Sequence, residues 1–126
     1  MRSKLCAILV LAGGLLAANS VFAHHSRAPY DSQNPITVSG TVTEYEFANP
    51  HVKISFVVKD EKGGATNWIA EVAPVAKMYR AGWSRVSLKP GDSITVTGHP
   101  LKDGRKVIHA TKVVAPNLPV LSDTGD

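Results

Sequence analysis

The sequence predicts a small all-β domain with one short helix, folded as a five-stranded Greek-key barrel of the OB type. Five segments alternate apolar and polar residues, turns rich in glycine and proline separate them, and one helical segment lies between the third and the fourth. Three strands, a helix and two further strands is the order found in OB-folds. An open antiparallel β-sandwich built from the same strands is the alternative.

The first strand is expected at 36–47, where β-branched residues dominate. Val38 and Val42 share one face, with Gly40 between them, and beyond Glu44 the apolar face switches to Tyr45. Such a switch indicates a bulge or a bend, and Gly40 gives room for close backbone approach. The remaining strands are expected at 52–59, 66–72, 93–99 and 106–114.

The predicted helix spans 75–81, after Pro74 at a favoured first helical position and before Gly82 as the residue that follows the C-cap. The aromatic residues near it are interpreted as core filling. A stacking platform for single strands or sugars is the alternative reading of the same set. The set comprises Phe47, Phe56, Trp68, Tyr79 and Trp83.

Residues 1–23 are typical of a secretory signal peptide, with a positive start, an apolar stretch and small residues up to Ala23. The apolar stretch is shorter than the roughly 20 residues of a spanning helix. We therefore expect a periplasmic or secreted protein with no membrane span in its mature form. Its expected units are an N-terminal arm at 24–35, the barrel domain at 36–116 and a flexible tail at 117–126.

The mature chain contains no cysteine, because Cys6 lies in the leader. This excludes thiolate metal sites, cysteine nucleophiles and disulfides. Two of the 14 basic residues, Arg2 and Lys4, leave with the leader, so the excess over the 10 acidic residues is small. Because the basic residues are scattered, no nucleic-acid partner is expected.

Histidines follow the predicted cleavage site directly. Cleavage after Ala23 makes His24 the first residue, where its free α-amine and its imidazole can chelate a metal such as copper. His25 and His51 offer further imidazoles. The sequence therefore predicts an exported binding protein, not an enzyme, that binds copper through His24, His25 and His51. The alternatives are an envelope module that binds a protein or a glycan without metal, and a copper-dependent oxidase.

Other polar residues receive a simpler interpretation. Glu44, Glu46 and Glu71 could bring a carboxylate close to the metal, but they are interpreted as solvated strand positions. His99, placed in a turn before Pro100, and His109, placed within a strand, are interpreted as surface residues.

Four motifs resemble those of an uncharacterised family of small exported bacterial proteins. They are His24-His25-Ser26, Asn49-Pro50-His51, Gly82-Trp83 and Leu88-Lys89-Pro90-Gly91-Asp92. The resemblance implies a periplasmic OB-like domain and supplies no activity. Ala73-Pro74 stands where the family more often has Ser-Pro, which implies a weaker helix cap. The start at His24 also resembles, in local chemistry and not in fold, exported copper proteins whose mature chain begins with histidine.

Overall fold

The computed structural model describes residues 29–122, so the predicted leader, His24 and His25 lie outside the described range. Within that range, no helix is long and apolar enough to cross a membrane. The elements are β1 Ile36–Glu46, β2 Lys53–Lys59, β3 Ala65–Glu71, α1 Val75–Arg80, β4 Ser93–Pro100, β5 Val107–Val114 and β6 Leu121–Ser122.

The first five strands close into a barrel. β1 runs antiparallel to both β2 and β4, β2 pairs with β3, and β4 pairs with β5. A short parallel pairing of β3 with β5 joins the two ends of the sheet. This closed order, with α1 between β3 and β4, is the OB-fold. The predicted fold is confirmed, and the open sandwich is not formed because the sheet closes.

Strand alternation places one face of each strand in a single core. Phe47, Phe56, Trp68 and Trp83 are all buried in it, which confirms their interpretation as core residues. Tyr79 alone of the predicted aromatic set is exposed, at 55%. These five residues therefore do not form the exposed stacking platform that was the alternative interpretation.

The bend expected in β1 is present. The β1–β2 register shifts between Val42 and Glu44, which is the bulge predicted from the change of apolar face. The turn before β4 fixes this point, because Val42 donates its amide to Asp92 and accepts from the amide of Gly91, both at 2.8 Å. The expected close approach at Gly40 is also present, since a Cβ there would clash with the backbone of β2.

Helix α1 begins at Val75 as predicted and ends at Arg80, one residue before the predicted end, with Ala81 as its C-cap. Gly82 has a φ of 86°, and the amide of Trp83 donates to the Met78 carbonyl at 2.9 Å, which closes the helix in a Schellman motif. Pro74 is the N-cap residue and gives no side-chain cap. Asn49 supplies the missing acceptor, because its Oδ1 accepts from the Val75 amide at 3.0 Å.

A flexible tail is predicted at 117–126, but the structure shows this segment packed on the barrel as far as Ser122. Residues of β6 pair with β5, and Leu121 is buried at 2% exposure opposite Val113. The indole Nε1 of Trp83 donates to the Pro119 carbonyl at 2.9 Å. One buried leucine and one buried indole therefore hold this segment on the barrel. Strands of two residues leave no alternation to detect in a sequence.

Candidate functional site

The described part of the N-terminal arm lies against the corner between β4 and β5. Tyr30 forms an isolated antiparallel bridge with Leu101. Beside this bridge, the Lys102 amide donates to the Pro29 carbonyl at 2.9 Å. The backbone thus fixes the point at which the chain before Pro29 reaches the barrel.

Asp31 turns the arm towards β1. Its amide donates to the Pro100 carbonyl at 2.8 Å, and its carboxylate accepts from the amides of Gln33 at 3.1 Å and Asn34 at 3.2 Å. The side-chain amide of Asn34 donates to the second oxygen at 3.0 Å. These hydrogen bonds, that from the Asn34 side chain above all, hold the pKa of Asp31 below its ordinary value. Asp31 therefore has a structural role in the turn.

Tyr30 joins the arm to β3 and β5 through its side chain. Its hydroxyl donates to Oε2 of Glu71 at 2.8 Å, and its ring lies 5.5 Å from the His109 ring, tilted by 48°. Burial raises the pKa of Tyr30 above its ordinary value, and the hydrogen bond to Glu71 and the charge of that carboxylate add to the effect. Tyr30 is thus a neutral phenol that donates to an acid on the barrel surface.

Glu71 belongs to a row of polar residues that crosses the outside of the barrel. Strand pairing places Glu46 opposite Lys53, Lys53 opposite Glu71, Glu71 beside His109, and His109 opposite His99. Residues directly opposite one another have Cβ atoms about 5 Å apart. The row therefore places Glu71, His109 and His99 at successive register positions beside the arm.

His99 departs from its predicted setting. It lies within β4 rather than in a turn, and Pro100 ends the strand. Its Nδ1 is buried and has no hydrogen-bond partner in the described part of the chain. His99 and His109 are both half-buried. The predicted order of an OB-fold already places the third and fifth strands side by side, and this signal could have placed Glu71 beside His109.

His51 lies at the same end of the β2–β3 pair as Glu71. The amide of Val52 donates to the Ala73 carbonyl at 2.9 Å, and the Val52 carbonyl accepts from Val72 at 2.9 Å. Val52 is fully buried, so alternation turns the side chains of His51 and Lys53 outward. Because Lys53 pairs with Glu71, His51 occupies the diagonal position, for which the separation is typically about 7–8 Å.

The structure does not bring the three predicted ligands together within the range it describes. His51 is placed as above, while His24 and His25 precede that range. Among residues 29–122, no group of three or more histidine, cysteine, aspartate or glutamate side chains is arranged to hold a metal ion. A complete site would therefore need the N-terminal residues.

Several motif residues have a purely structural role. Asn49 caps α1, and Trp83 closes it and holds the tail. Asp92 accepts from the Lys89 amide at 2.9 Å and from the Lys89 side chain at 3.1 Å, which fixes the turn before β4. Capping and hydrogen bonding thus account for Asn49, Trp83 and Asp92.

The fold and this surface define an OB-fold domain with a histidine- and carboxylate-bearing face beneath its N-terminal arm. The chain belongs to a family of unknown function, DUF6152, whose model matches residues 14–110. This confirms the resemblance to an uncharacterised family. A comparison with curated proteins found no match.

Solved structures with a similar fold include single-stranded DNA-binding proteins. The mitochondrial protein Rim1 of S. cerevisiae is 11% identical, with a TM-score of 0.49 over 68% of this chain and 96% of that one. A small single-stranded DNA-binding protein from Streptomyces coelicolor is 14% identical, with a TM-score of 0.43 over 65% of this chain and 90% of that one.

The prediction that nucleic acid is not a partner is contradicted by these matches, because the proteins that share the fold are named for binding single-stranded DNA. The prediction used only the net charge and the scatter of basic residues. Single-strand binding depends on a local groove and on stacking, which neither quantity measures. Net charge and the scatter of basic residues therefore do not exclude a nucleic-acid partner.

Proposed function

We propose that the protein is exported, begins at His24 after cleavage, and binds one copper ion through the α-amine and the ring of that residue. His25 and His51 supply further nitrogen ligands. The DUF6152 match covers residues 14–110 and so includes the arm together with the barrel as far as the first half of β5. We infer that the arm and the barrel act together.

The attachment of the arm at Tyr30 is the observation that carries this proposal. Tyr30 lies six positions after His24, and an extended chain covers at most about 3.6 Å per position, or about 22 Å in all. Tyr30 rests on Glu71, at the end of the barrel that carries His51. The tether therefore keeps His24 at a high local concentration beside His51.

The donor set suits copper. The mature chain has no thiol, so the ligands available are amine and imidazole nitrogens, and divalent copper binds such donors more tightly than the other first-row metals. The α-amine has an ordinary pKa of about 7.7–8.0. Copper must displace its proton at neutral pH, so the proposed affinity falls as the pH is lowered.

His51 gives the site its fixed part. Two backbone hydrogen bonds, with Val72 and Ala73, hold its buried neighbour Val52 on the barrel just before β2. A ligand on such an anchored segment is positioned more accurately than a ligand on an unanchored loop. His24 and His25 would close onto this imidazole from the arm.

A matched pair of chains tests the proposal. One chain begins at His24, and the other carries a single extra alanine before His24. The extra residue leaves all the histidine side chains in place and moves only the free α-amine. Copper(II) titration against a competing chelator should give an affinity at least tenfold weaker for the extended chain. Equal affinities would show that the amine is not a ligand.

Two histidine variants of the mature chain complete the test. His51→Ala should weaken copper binding, because it removes a ligand held on the barrel. His99→Ala is the matched control, since three strand-to-strand steps separate it from β2 along the polar row. Intact mass of the protein recovered from its native cells should correspond to a chain that starts at His24, and any other start removes the chelate.

A further inference from the structure

The first half of β1 has a partner strand on one side only. β4 pairs with residues 36–41, whereas the pairing with β2 covers residues 41–46. Within the described part of the chain, no strand is paired with the other side of residues 36–40. An open groove of about 570 Å³ lies where β1 parts from β2, and Val57 and Lys59 at the end of β2 are among the residues that line it. Residues 36–40 therefore form an open strand edge.

This edge presents the backbone amides and carbonyls of Thr37 and Ser39. Val42 directs both of its backbone polar groups to the turn before β4, with two hydrogen bonds of 2.8 Å. Such groups alternate in direction along a strand, so those of Thr37 and Ser39 point away from β4. Hydroxyl contacts of Ser39 with Thr95 at 2.8 Å and of Thr37 with Thr97 at 2.9 Å agree with this direction. Opposed residues that exchange no backbone hydrogen bonds have their side chains closer together.

No residue in 36–40 protects the edge against an added strand. The segment reads Ile-Thr-Val-Ser-Gly, with no charge and no proline. Natural proteins commonly protect open edges with charged residues, proline or a bulge, and the bulge of β1 lies beyond Val42. The side chains of Ile36 and Val38 are only half-buried against the core, so a further strand would remove more of their apolar surface from water. The edge is therefore suited to strand addition.

We propose that this edge pairs with the same edge of a second copy of the chain, so that two barrels share one continuous sheet. Antiparallel pairing about a two-fold axis at Val38 places Thr37 of one copy opposite Ser39 of the other. Because both residues direct their amides and carbonyls outward, each copy satisfies all the open backbone groups of its partner. The edge is self-complementary in this way and carries no charge that would repel its own copy, so a second copy is the occupant that fits it. This dimer is independent of copper.

Replacing Ser39 with proline tests the pairing, because proline removes an amide from the open edge and leaves the hydrogen bonds between β1 and β4 in place. Ser39→Ala is the matched control, since it loses the same hydroxyl contact with Thr95 and keeps the amide. Sedimentation velocity of the mature chain over a wide range of concentrations, with a chelator present, should show a reversible dimer. Ser39→Pro should weaken dimerisation at least tenfold, because symmetry removes one hydrogen bond from each copy, and Ser39→Ala should dissociate as the wild type does.

A second variant applies if circular dichroism shows that Ser39→Pro does not fold. The double variant Thr37→Lys, Ser39→Lys keeps every backbone group and places like charges directly opposite one another, so it should be monomeric. A wild-type chain that is monomeric at every concentration would overturn the inference, and so would a dimer that neither variant weakens. A monomer whose Thr37 and Ser39 amides resist hydrogen exchange would place the chain's own N-terminal segment on the edge, which also overturns the inference. None of these outcomes bears on copper binding.

Discussion

Replacing Tyr30 with phenylalanine tests whether its hydroxyl holds the arm on the barrel. The substitution removes the hydrogen bond to Glu71 and keeps the ring against His109, so the apolar burial is unchanged. A hydrogen bond to a charged group contributes about 1.5–3 kcal/mol. Because both side chains are half-buried, solvent screening reduces the expected loss of unfolding free energy to about 1 kcal/mol.

Urea unfolding at pH 7 measures this loss through the fluorescence of the two buried tryptophans, Trp68 and Trp83. For a urea m-value of about 1–3 kcal/mol/M, the midpoint should fall by about 0.3–1 M. Tyr79→Phe is the matched control, since that side chain is 55% exposed, and it should leave the midpoint unchanged. A Tyr30→Phe protein that unfolds at the wild-type urea concentration would refute the assigned role of the hydroxyl.

The same pair of proteins gives a signed pH dependence. Burial, followed by the hydrogen bond to Glu71 and its charge, raises the pKa of Tyr30 in the folded state above the ordinary value of about 10. The stabilisation contributed by the neutral Tyr30 phenol is therefore complete at pH values below about 10. It is lost as the pH rises further, because Tyr30 of the unfolded chain releases its proton at a lower pH than Tyr30 of the folded protein. The advantage of wild type over Tyr30→Phe should shrink between pH 8 and pH 11, and a constant difference would contradict this reasoning.

Three further predictions concern the frame that positions the site. Asn49→Ala should lower the unfolding free energy by about 1 kcal/mol, whereas Asn49→Asp keeps an acceptor for the Val75 amide, and thermal unfolding compares them. Gly40→Ala should lower the free energy of unfolding by about 1–3 kcal/mol, because the added methyl group would clash with the backbone of β2. Urea unfolding measures this loss, and an unchanged midpoint would show that β1 and β2 can move apart at this point without loss of stability. Hydrogen bonds from Lys89 lower the pKa of Asp92, so wild type should lose stability as the pH falls below about 4 and Asp92→Asn should lose less, as measured by urea midpoints at pH 6 and pH 3.

The strands, the helix and the barrel order could be predicted because their signals are local. Alternation identified each strand of β1 to β5, the change of face near Glu44 indicated the bulge, and Gly82 marked the end of α1. Each of these features depends on residues within about one turn or one strand of each other. Core burial then followed from the same alternation.

The site could be predicted less well because it depends on contacts between distant residues. Tyr30 and Glu71 are 41 residues apart, and no spacing rule links them. Asn49 caps a helix 26 residues further along the chain, so the sequence motif around it indicates a possible ligand, His51, and does not reveal the cap. β6 is too short to show any period, and Leu121 is held by its pairing with β5. In each case tertiary pairing decides the role of the residue.

A crystal structure of the copper-loaded chain that begins at His24 tests the central claim most directly. The account predicts one ion bound by the amine and ring nitrogens of His24 and by the imidazole of His51, at about 2.0–2.1 Å, the usual distance from a metal to an imidazole nitrogen. An ion bound elsewhere, or an arm that carries His24 away from His51 in the presence of copper, would contradict it.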